Sequence, residues 1–443
     1  MRKIVIMGAG GRDFHDFNVV FRDDPDTEVV AFTAAQIPGI DERLYPPSLA
    51  GPRYPNGIQI RPESELATIA RIEQVDEIVL AYSDLSHVDV MHKASIALAT
   101  GADFRLIGPR ASMLRSTKPV VAVCASRTGA GKSQTSRHIG KLLMQSGLRV
   151  AVVRHPMPYG DLERMRVQRF ATLADIDEAN PTIEEREEYE TPVRLGMVVL
   201  AGVDYAEILR VAEDEADVIV WDGGNNDFPF IASDVFVTVV DALRPGHELT
   251  FHPGETNVRM ADIVVVNKVD SAHIDDVGQV AANVHGLNAT AAIVRAASPV
   301  TLGPGPALFG KRVLVVEDGP TITHGGMPMG AGMVAARQWG AGELVDPRPF
   351  AVGSIADVYE RYPDIGLVLP AMGYGEHQLA ELAETIRAAD CDIVVVGTPV
   401  DLGRLVDVGH PIRTATYDLL EVGEPTLAQL LEPRIEKWRQ GQR

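Results

Sequence analysis

Residues 120–133 read Val-Val-Ala-Val-Cys-Ala-Ser-Arg-Thr-Gly-Ala-Gly-Lys-Ser. A β-branched apolar run feeds a glycine-containing loop, and Lys132-Ser133 opens a helical stretch. In that order the loop N–H groups and the helix N-terminus converge on one region of positive potential, an anion nest. Arg127, Thr128, Gly129, Ala130, Gly131, Lys132, Ser133 and Gln134 are therefore expected to cradle the phosphates of a nucleoside triphosphate. Lys132 would reach the β- and γ-phosphates, and the Ser133 hydroxyl would ligate Mg2+. The usual first glycine of such a loop is here Ser126.

The rest of the chain keeps the same rhythm. Short apolar runs alternate with helix-length amphipathic segments along 443 residues, which predicts an α/β protein of doubly wound parallel sheets. Three blocks are expected: a Rossmann-like unit over 1–116, the P-loop unit over 117–302 and a further α/β unit over 303–443. Lys118-Pro119 and Gly303-Pro304-Gly305-Pro306 mark the junctions. The charged segment 160–200, with Pro181 and Pro192, breaks the rhythm and reads as an insertion or lid.

The formal net charge of −20 argues against sequence-independent nucleic-acid binding, which needs a basic surface. A local basic pocket for an anionic substrate remains compatible with it. No apolar stretch approaches the ~18–20 residues of a membrane span, and the first apolar run is too short for a signal-peptide core. A cytoplasmic protein is expected. The two cysteines, Cys124 and Cys391, lie in or beside apolar runs and read as buried free thiols.

Further motifs follow the P-loop. Val218-Ile219-Val220-Trp221-Asp222 is an apolar strand ending in an acid, the form of a Walker B strand. Asp222 would hold Mg2+, and Gly223 and Gly224 would let the backbone approach the γ-phosphate. Asn267-Lys268-Val269-Asp270 has the form of a guanine-reading motif, although Asn267 and Lys268 can equally pack near the P-loop of an ATP-using protein. Arg154 and His155 follow the next apolar run, at the sheet edge where ligands bind. They are candidate phosphate ligands or catalytic groups, with Asp161 as a candidate Mg2+ or water-positioning acid. In the first block Gly8-Ala9-Gly10-Gly11-Arg12-Asp13-Phe14-His15 is either a ligand loop, with Gly10, Arg12, Asp13 and His15 contacting an anion, or a structural tight turn. In the third block Thr323, His324, Gly325 and Gly326 lie in a run of small residues that implies close backbone approach to something.

The order P-loop, Arg-His-Pro loop, Asp-Gly-Gly strand and Asn-Lys-Val-Asp resembles the SIMIBI class of P-loop proteins over about 180 residues. With the three-block layout, the Gly8–Asp13 opening and the Thr-His-Gly-Gly segment, the whole chain is similar to the cyclic 2,3-diphosphoglycerate synthetase family. That resemblance implies ATP- and Mg2+-dependent closure of an intramolecular phosphoanhydride in a small anionic phosphorylated metabolite, with release of ADP and phosphate. GTP is the competing nucleotide, and a homodimer or higher homo-oligomer is the expected assembly. The alternative is a SIMIBI-type GTPase that acts as a switch or metallochaperone for a partner protein.

Overall fold

A computed structural model describes residues 1–35, 43–155, 161–224, 227–323, 329–371, 376–398 and 402–442. The β-branched runs form strands because both faces of each are covered, which is how parallel strands become continuously apolar. Val120–Ala125 is buried at all six positions.

The N-terminal unit contains β1 (Arg2–Met7), β2 (Thr27–Ala34), β3 (Leu44–Tyr45), β4 (Ile58–Pro62) and β5 (Glu77–Leu80). After the short β6 (Leu85–Ser86) comes β7 (Asp103–Leu106), and the sheet order is β3-β4-β2-β1-β5-β7. The central strands are β8 (Val120–Ala125), β9 (Val150–Arg154), β10 (Gln168–Phe170), β11 (Val198–Ala201), β12 (Val218–Asp222) and β13 (Val235–Asp241). The short β14 (Phe251–His252) precedes β15 (Ile263–Asn267) and β16 (Ala292–Ala297). The third unit has β17 (Val300–Leu302), β18 (Arg312–Asp318), β19 (Glu343–Leu344), β20 (Leu369–Ala371), β21 (Ile393–Val396) and β22 (Ile412–Tyr417), followed by β23 (Leu420–Glu421).

The central sheet is nine-stranded, in the order β10-β11-β9-β12-β8-β13-β15-β16-β23. Strands β11 to β16 run parallel, and β10 and β23 close the edges antiparallel. The β8 strand lies between β12 and β13, so the loops after β8, β9, β12, β13 and β15 share one edge. The α/β class with parallel sheets is thus present, and the doubly wound order puts ligand chemistry at that edge.

Two segments depart from the expected organisation. Segment 160–200 is not a detached lid: its β10 extends the central sheet, and Ile176, Tyr189 and Val193 are buried in the central core. The helices Leu173–Ala179 and Ile183–Arg194 each begin with a complete capping box, at Thr172 and Thr182, which offsets the unfavourable proline and the dense charge. The chain also leaves the third unit near its end. Strand β23 pairs with β16, and Leu427, Leu431, Ile435 and Trp438 of the last helix pack into the central core.

The N-terminal and central units are joined by an antiparallel ribbon, β6 against β14. Among the described residues no helix is long and apolar enough to cross a membrane.

Candidate active site

The loop after β8 begins with Ser126, whose N–H donates to Val239 O on β13 at 2.8 Å. Among the described residues, positive φ outside glycine occurs only at Gln74, Asp84, Asn180 and Lys268. Ser126 therefore sits in a conformation any residue adopts, and its place in the loop does not require glycine. Gly129 and Gly131 do need theirs, at φ 77 and 112. A Cβ on Gly131 would also lie 2.1 Å from Asn267 Nδ2.

The back of the loop is held by its own carbonyls. Asn267 Nδ2 donates to Ala130 O at 2.8 Å, Lys268 Nζ to Gly129 O at 2.7 Å, and Arg244 to Thr128 O at 2.8 Å. With these carbonyls tied backwards the loop is braced from behind; of its own N–H groups, Thr128 N donates to Asp84 at 3.3 Å and Ala130 N to Arg127 O at 3.2 Å. Lys268 also meets Asp241 at 2.7 Å, and burial pulls its pKa down against that partner's pull upward. Asn267 and Lys268 thus act as loop supports. Asp270 is exposed and accepts from Ser298 N at 3.0 Å. Gln134, expected at the phosphates, instead donates to Ser298 Oγ at 2.6 Å and ties the P-loop helix to this neighbouring loop.

Asp222 at the end of β12 is the electrostatic centre. Lys132 Nζ donates to its Oδ1 at 2.5 Å, and Arg154 pairs with Oδ2. Burial pushes the Asp222 pKa up, but Arg154 and Lys132 together outweigh it and hold the carboxyl below its ordinary range. Asp222 is ionised at neutral pH. Arg154 is 1% exposed and its Nε reaches Glu188 on helix Ile183–Arg194 at 3.1 Å. Arg154, expected as a phosphate ligand, has its guanidinium held instead by the buried Asp222 and the part-buried Glu188. Ser133 in the first turn of the P-loop helix and Asp222 are hard oxygen donors that fit Mg2+, which takes one or two protein ligands beside phosphate oxygens.

The N-terminal unit closes over this edge. A Cβ on Gly11 would sit 1.3 Å from His155 Nε2, and one on Gly224 would sit 3.1 Å from His155 Cβ. Gly223 is hemmed in by Trp221, whose Nε1 is 2.5 Å from its Cβ position. These glycines therefore make room for His155 and Trp221.

The Gly8–Asp13 turn satisfies itself. Asp13 accepts from Gly10 N at 2.9 Å, Gly11 N at 2.9 Å and Phe14 N at 2.7 Å. Its N–H groups are spent on that carboxylate, which corrects Gly10 and Asp13 as anion ligands. His15 is corrected too. Its Nε2 lies 2.7 Å from Ser112 O, its ring stacks on Phe230 at 4.2 Å, and burial lowers its pKa to about 3, so it stays neutral. Arg12 is buried, donates to Ile107 O at 3.1 Å and lies 4.1 Å over the Phe228 ring. Asp161 is exposed and its Oδ1 accepts from Glu163 N at 2.9 Å as a turn cap.

In the third unit, His324, Gly325 and Gly326 lie outside the described residues. Thr323 is buried and donates to Gly319 O at 2.8 Å. The glycine cluster there accommodates Glu317. Its carboxylate accepts from Gly330 N at 3.0 Å, Gly332 N at 3.2 Å and Met333 N at 2.7 Å, at the start of helix Ala331–Gln338. A Cβ on Gly397 would lie 2.2 Å from Glu317 Oε2. A side chain of the protein thus fills the place where a doubly wound sheet commonly holds a phosphate.

Four buried or part-buried acids carry contacts that the sequence motifs do not assign to them: Asp84, Glu188, Asp227 and Glu317. Asp84 and Glu317 do carry a signal, an acid within four residues of a buried strand's carboxyl end. Glu188 is hidden in an acidic run whose sequence reads as a solvated face.

Residues 216–295 match the family model described as CobW/HypB/UreG, nucleotide-binding domain. Over 431 residues the chain is 56% identical to "Arginine synthetase ArcE" of Thermococcus kodakarensis, covering 97% of this chain and 96% of that protein. Among solved structures, LpxK from Aquifex aeolicus in complex with ATP is 13% identical, covers 73% of this chain and 90% of its own, and gives a TM-score of 0.40. A ParA family ATPase from Chlorobium tepidum is 16% identical, covers 40% of this chain and 82% of its own, and gives 0.24.

Proposed function

Because this chain belongs to the family of the Thermococcus kodakarensis arginine synthetase, we propose that it makes arginine by turning a ureido group into a guanidinium at the expense of a nucleoside triphosphate. The chemistry follows from the product. Triphosphate cleavage can drive guanidinium formation if the central carbon first bears an oxygen that phosphorylation converts into a leaving group. The oxygen analogue of arginine is its ureido form, citrulline. The ureido oxygen attacks the γ-phosphorus, a nitrogen nucleophile displaces the phosphorylated oxygen, and the products are arginine, nucleoside diphosphate and phosphate.

The observation that carries this reading is the pairing of Lys132 and Asp222 at 2.5 Å at the head of the P-loop helix. A bound triphosphate would draw Lys132 on to its β- and γ-phosphates and leave Asp222 with Arg154. Ser133 and Asp222 would hold Mg2+, which when bound supplies charge neutralisation on the phosphate oxygens. The nitrogen is taken as free ammonia. Delivery from glutamine commonly uses an activated cysteine, and burial raises both thiols here, Cys391 to about 11 and Cys124 further.

Cyclisation of 2,3-diphosphoglycerate shares the phosphoryl-transfer half of this scheme. It would bring a polyanion to a place where Lys132 and Arg154 are paired with acids and Arg12 faces Asp16 and Asp227. That charge pattern favours the amino-acid substrate, and it favours it over the GTPase-switch reading only through the family. The test is incubation with ATP, citrulline and ammonium chloride, with arginine read by chromatography and phosphorus species by NMR. Parallel arms carry 2,3-diphosphoglycerate, or GTP without either substrate. Arginine that needs all three reactants supports the proposal; no arginine, with conversion in a parallel arm, overturns it.

A further inference from the structure

Between the N-terminal unit and the central sheet lies a group of charged side chains that the phosphoryl-transfer step does not use. Arg12, Asp13 and Asp16 come from the short helix Arg12–Asp16 after β1, and Asp227 from the loop after β12. All four are buried, with Arg12 4%, Asp13 4%, Asp16 0% and Asp227 4% exposed. Asp13 is satisfied by three backbone N–H groups. The other two acids are not. Both oxygens of Asp16, Oδ1 of Asp227 and NH1 of Arg12 have no hydrogen-bond partner.

Among the described residues Arg12 is the one cation ion-paired with them, and it stands off, 3.5 Å from Asp16 Oδ2 and 3.7 Å from Asp227 Oδ1. Buried carboxylates normally hold full sets of hydrogen bonds, because each unpaired oxygen costs desolvation. Two acids against one distant guanidinium leave an excess of hydrogen-bond acceptors. Phe228 lies beneath Arg12 and the Ser83 hydroxyl on Asp227, with His252 and Tyr205 close by and the Arg105 charge acting on Asp16.

The location connects this cluster to the reaction. Asp227 is five residues beyond Asp222 on the same loop, and the Cys124 thiol, on the strand that feeds the P-loop, donates to Asp227 O at 3.1 Å. His155, next to the Asp222-bound Arg154, touches both Gly224 and Gly11. The cluster is therefore next to the P-loop edge of the sheet, between it and the N-terminal unit.

We propose that Asp16 and Asp227 form the binding site for ammonium, the nitrogen donor of the reaction. This rests on the arginine-synthetase reading above. Ammonium offers four N–H donors in a tetrahedron, which suits carboxylate oxygens from two directions and no phosphate contact. On transfer, an ammonium N–H proton passes to the Asp227 carboxylate. The freed ammonia attacks the carbon of the phosphorylated ureido group, a C–N bond forms, the C–O bond to phosphate breaks, and the leaving phosphate takes the proton that the new nitrogen sheds. Asp227 releases its proton before the next ammonium binds. Burial raises the Asp227 pKa to about 8, with Arg12 opposing, which suits a group that must both take and return a proton near neutrality.

The experiment varies ammonium chloride at constant ionic strength, made up with sodium chloride, for the full chain and for Asp227→Asn and Asp16→Asn. The KM for ammonium should rise about 10- to 100-fold in each, the loss of one charge-assisted hydrogen bond, while KM for ATP changes by less than about 2-fold. An unmoved ammonium KM, or an equal rise in KM for ATP, overturns the site. Where one variant loses its circular dichroism signature, the other serves. A second measurement needs no turnover: ammonium should raise the melting temperature of the wild type above that in sodium, and of neither variant. Potassium producing the same rise would make this a general cation site and overturn the proposal. An ammonium-specific rise without any arginine would sink the arginine reading and leave the site standing; arginine formation with an unmoved KM would do the reverse.

Discussion

The Asp84 carboxylate of the N-terminal unit lies 2.7 Å from Arg127 Nε in the phosphate loop and accepts from Thr128 N at 3.3 Å. Asp84 adopts φ 58, a left-handed conformation that aspartate and asparagine tolerate better than most residues. The strained residue sits beside the ribbon β6–β14, so the N-terminal unit grips the loop that it covers. Arg127 is further fixed 3.6 Å over the Phe251 ring.

Removing that grip should loosen nucleotide binding. Asp84→Ala leaves Arg127 without its buried partner, which costs about 3–5 kcal/mol in comparable pairs. Asp84→Asn keeps the backbone conformation and a carbonyl for Thr128 N–H, and should lose less than half as much. Urea unfolding and nucleotide titration check both, and equal losses for the two would show that the charge pair alone matters.

Lys132 and Arg154 both touch Asp222, yet their substitutions should differ. Lys132→Ala removes a group that serves the transferring phosphoryl and should cut turnover at least ~10^3-fold while the melting curve stays close to wild type. Arg154→Ala leaves Asp222 buried with one cation fewer and should destabilise by about 3–5 kcal/mol. Arg154→Lys should recover little, since one ammonium cannot serve two carboxylates on opposite sides. A stable Arg154→Ala protein would remove the structural role assigned to that guanidinium.

Gly11 and His155 can be tested as a pair. Gly11→Ala places a methyl into the His155 ring and should lower activity at least ~10-fold, with the clash relieved in part by His155→Ala. A double-mutant cycle measures the coupling, and additive effects would show that the two loops do not meet in solution.

Burial raises the Glu317 pKa from 4.5 to about 7 against three backbone N–H donors that lower it. The folded state therefore binds this proton more tightly than the unfolded state. The contribution to stability is fully present below pH 4.5, falls as pH rises towards 7, and is then lost. Its size is about 3 kcal/mol at most. Glu317→Gln should flatten the stability profile between those limits while Asp16 and Asp227, whose pKa values are raised to about 6 and about 8, still contribute a decline. An unchanged slope in chemical denaturation across this window would contradict the assignment.

Much of the sheet framework is visible in the sequence, because parallel strands covered on both faces must be apolar at every position. Val120–Ala125, Val218–Asp222 and Ile263–Asn267 announce themselves in that way. The phosphate loop is equally legible, since its glycines answer a local backbone demand. What stays hidden is everything settled by distant partners. Arg154 looks like a phosphate ligand until Glu188 arrives from 34 residues away. Gly10, Asp13 and His15 look like an anion loop until the turn is seen to consume its own N–H groups. Gln134 sits inside the phosphate-loop motif, but Ser298, 164 residues later, claims it. A sequence motif specifies which atoms can bind a ligand, and only the fold decides which of them are already engaged.

The return of the chain to the central sheet at β23 has a consequence for assembly. The P-loop helix Lys132–Gln145 packs against the last helix, Leu427–Arg439, and His138 pairs with Glu421 at 2.8 Å. During vectorial synthesis the nucleotide-binding layer emerges early but stays unfinished, with its helix uncovered, until nearly 300 further residues have left the ribosome. The third unit must fold in that interval as a loop pinned at both ends. The helix that carries Lys132 therefore gains its outer cover only when the last helix folds back on to it.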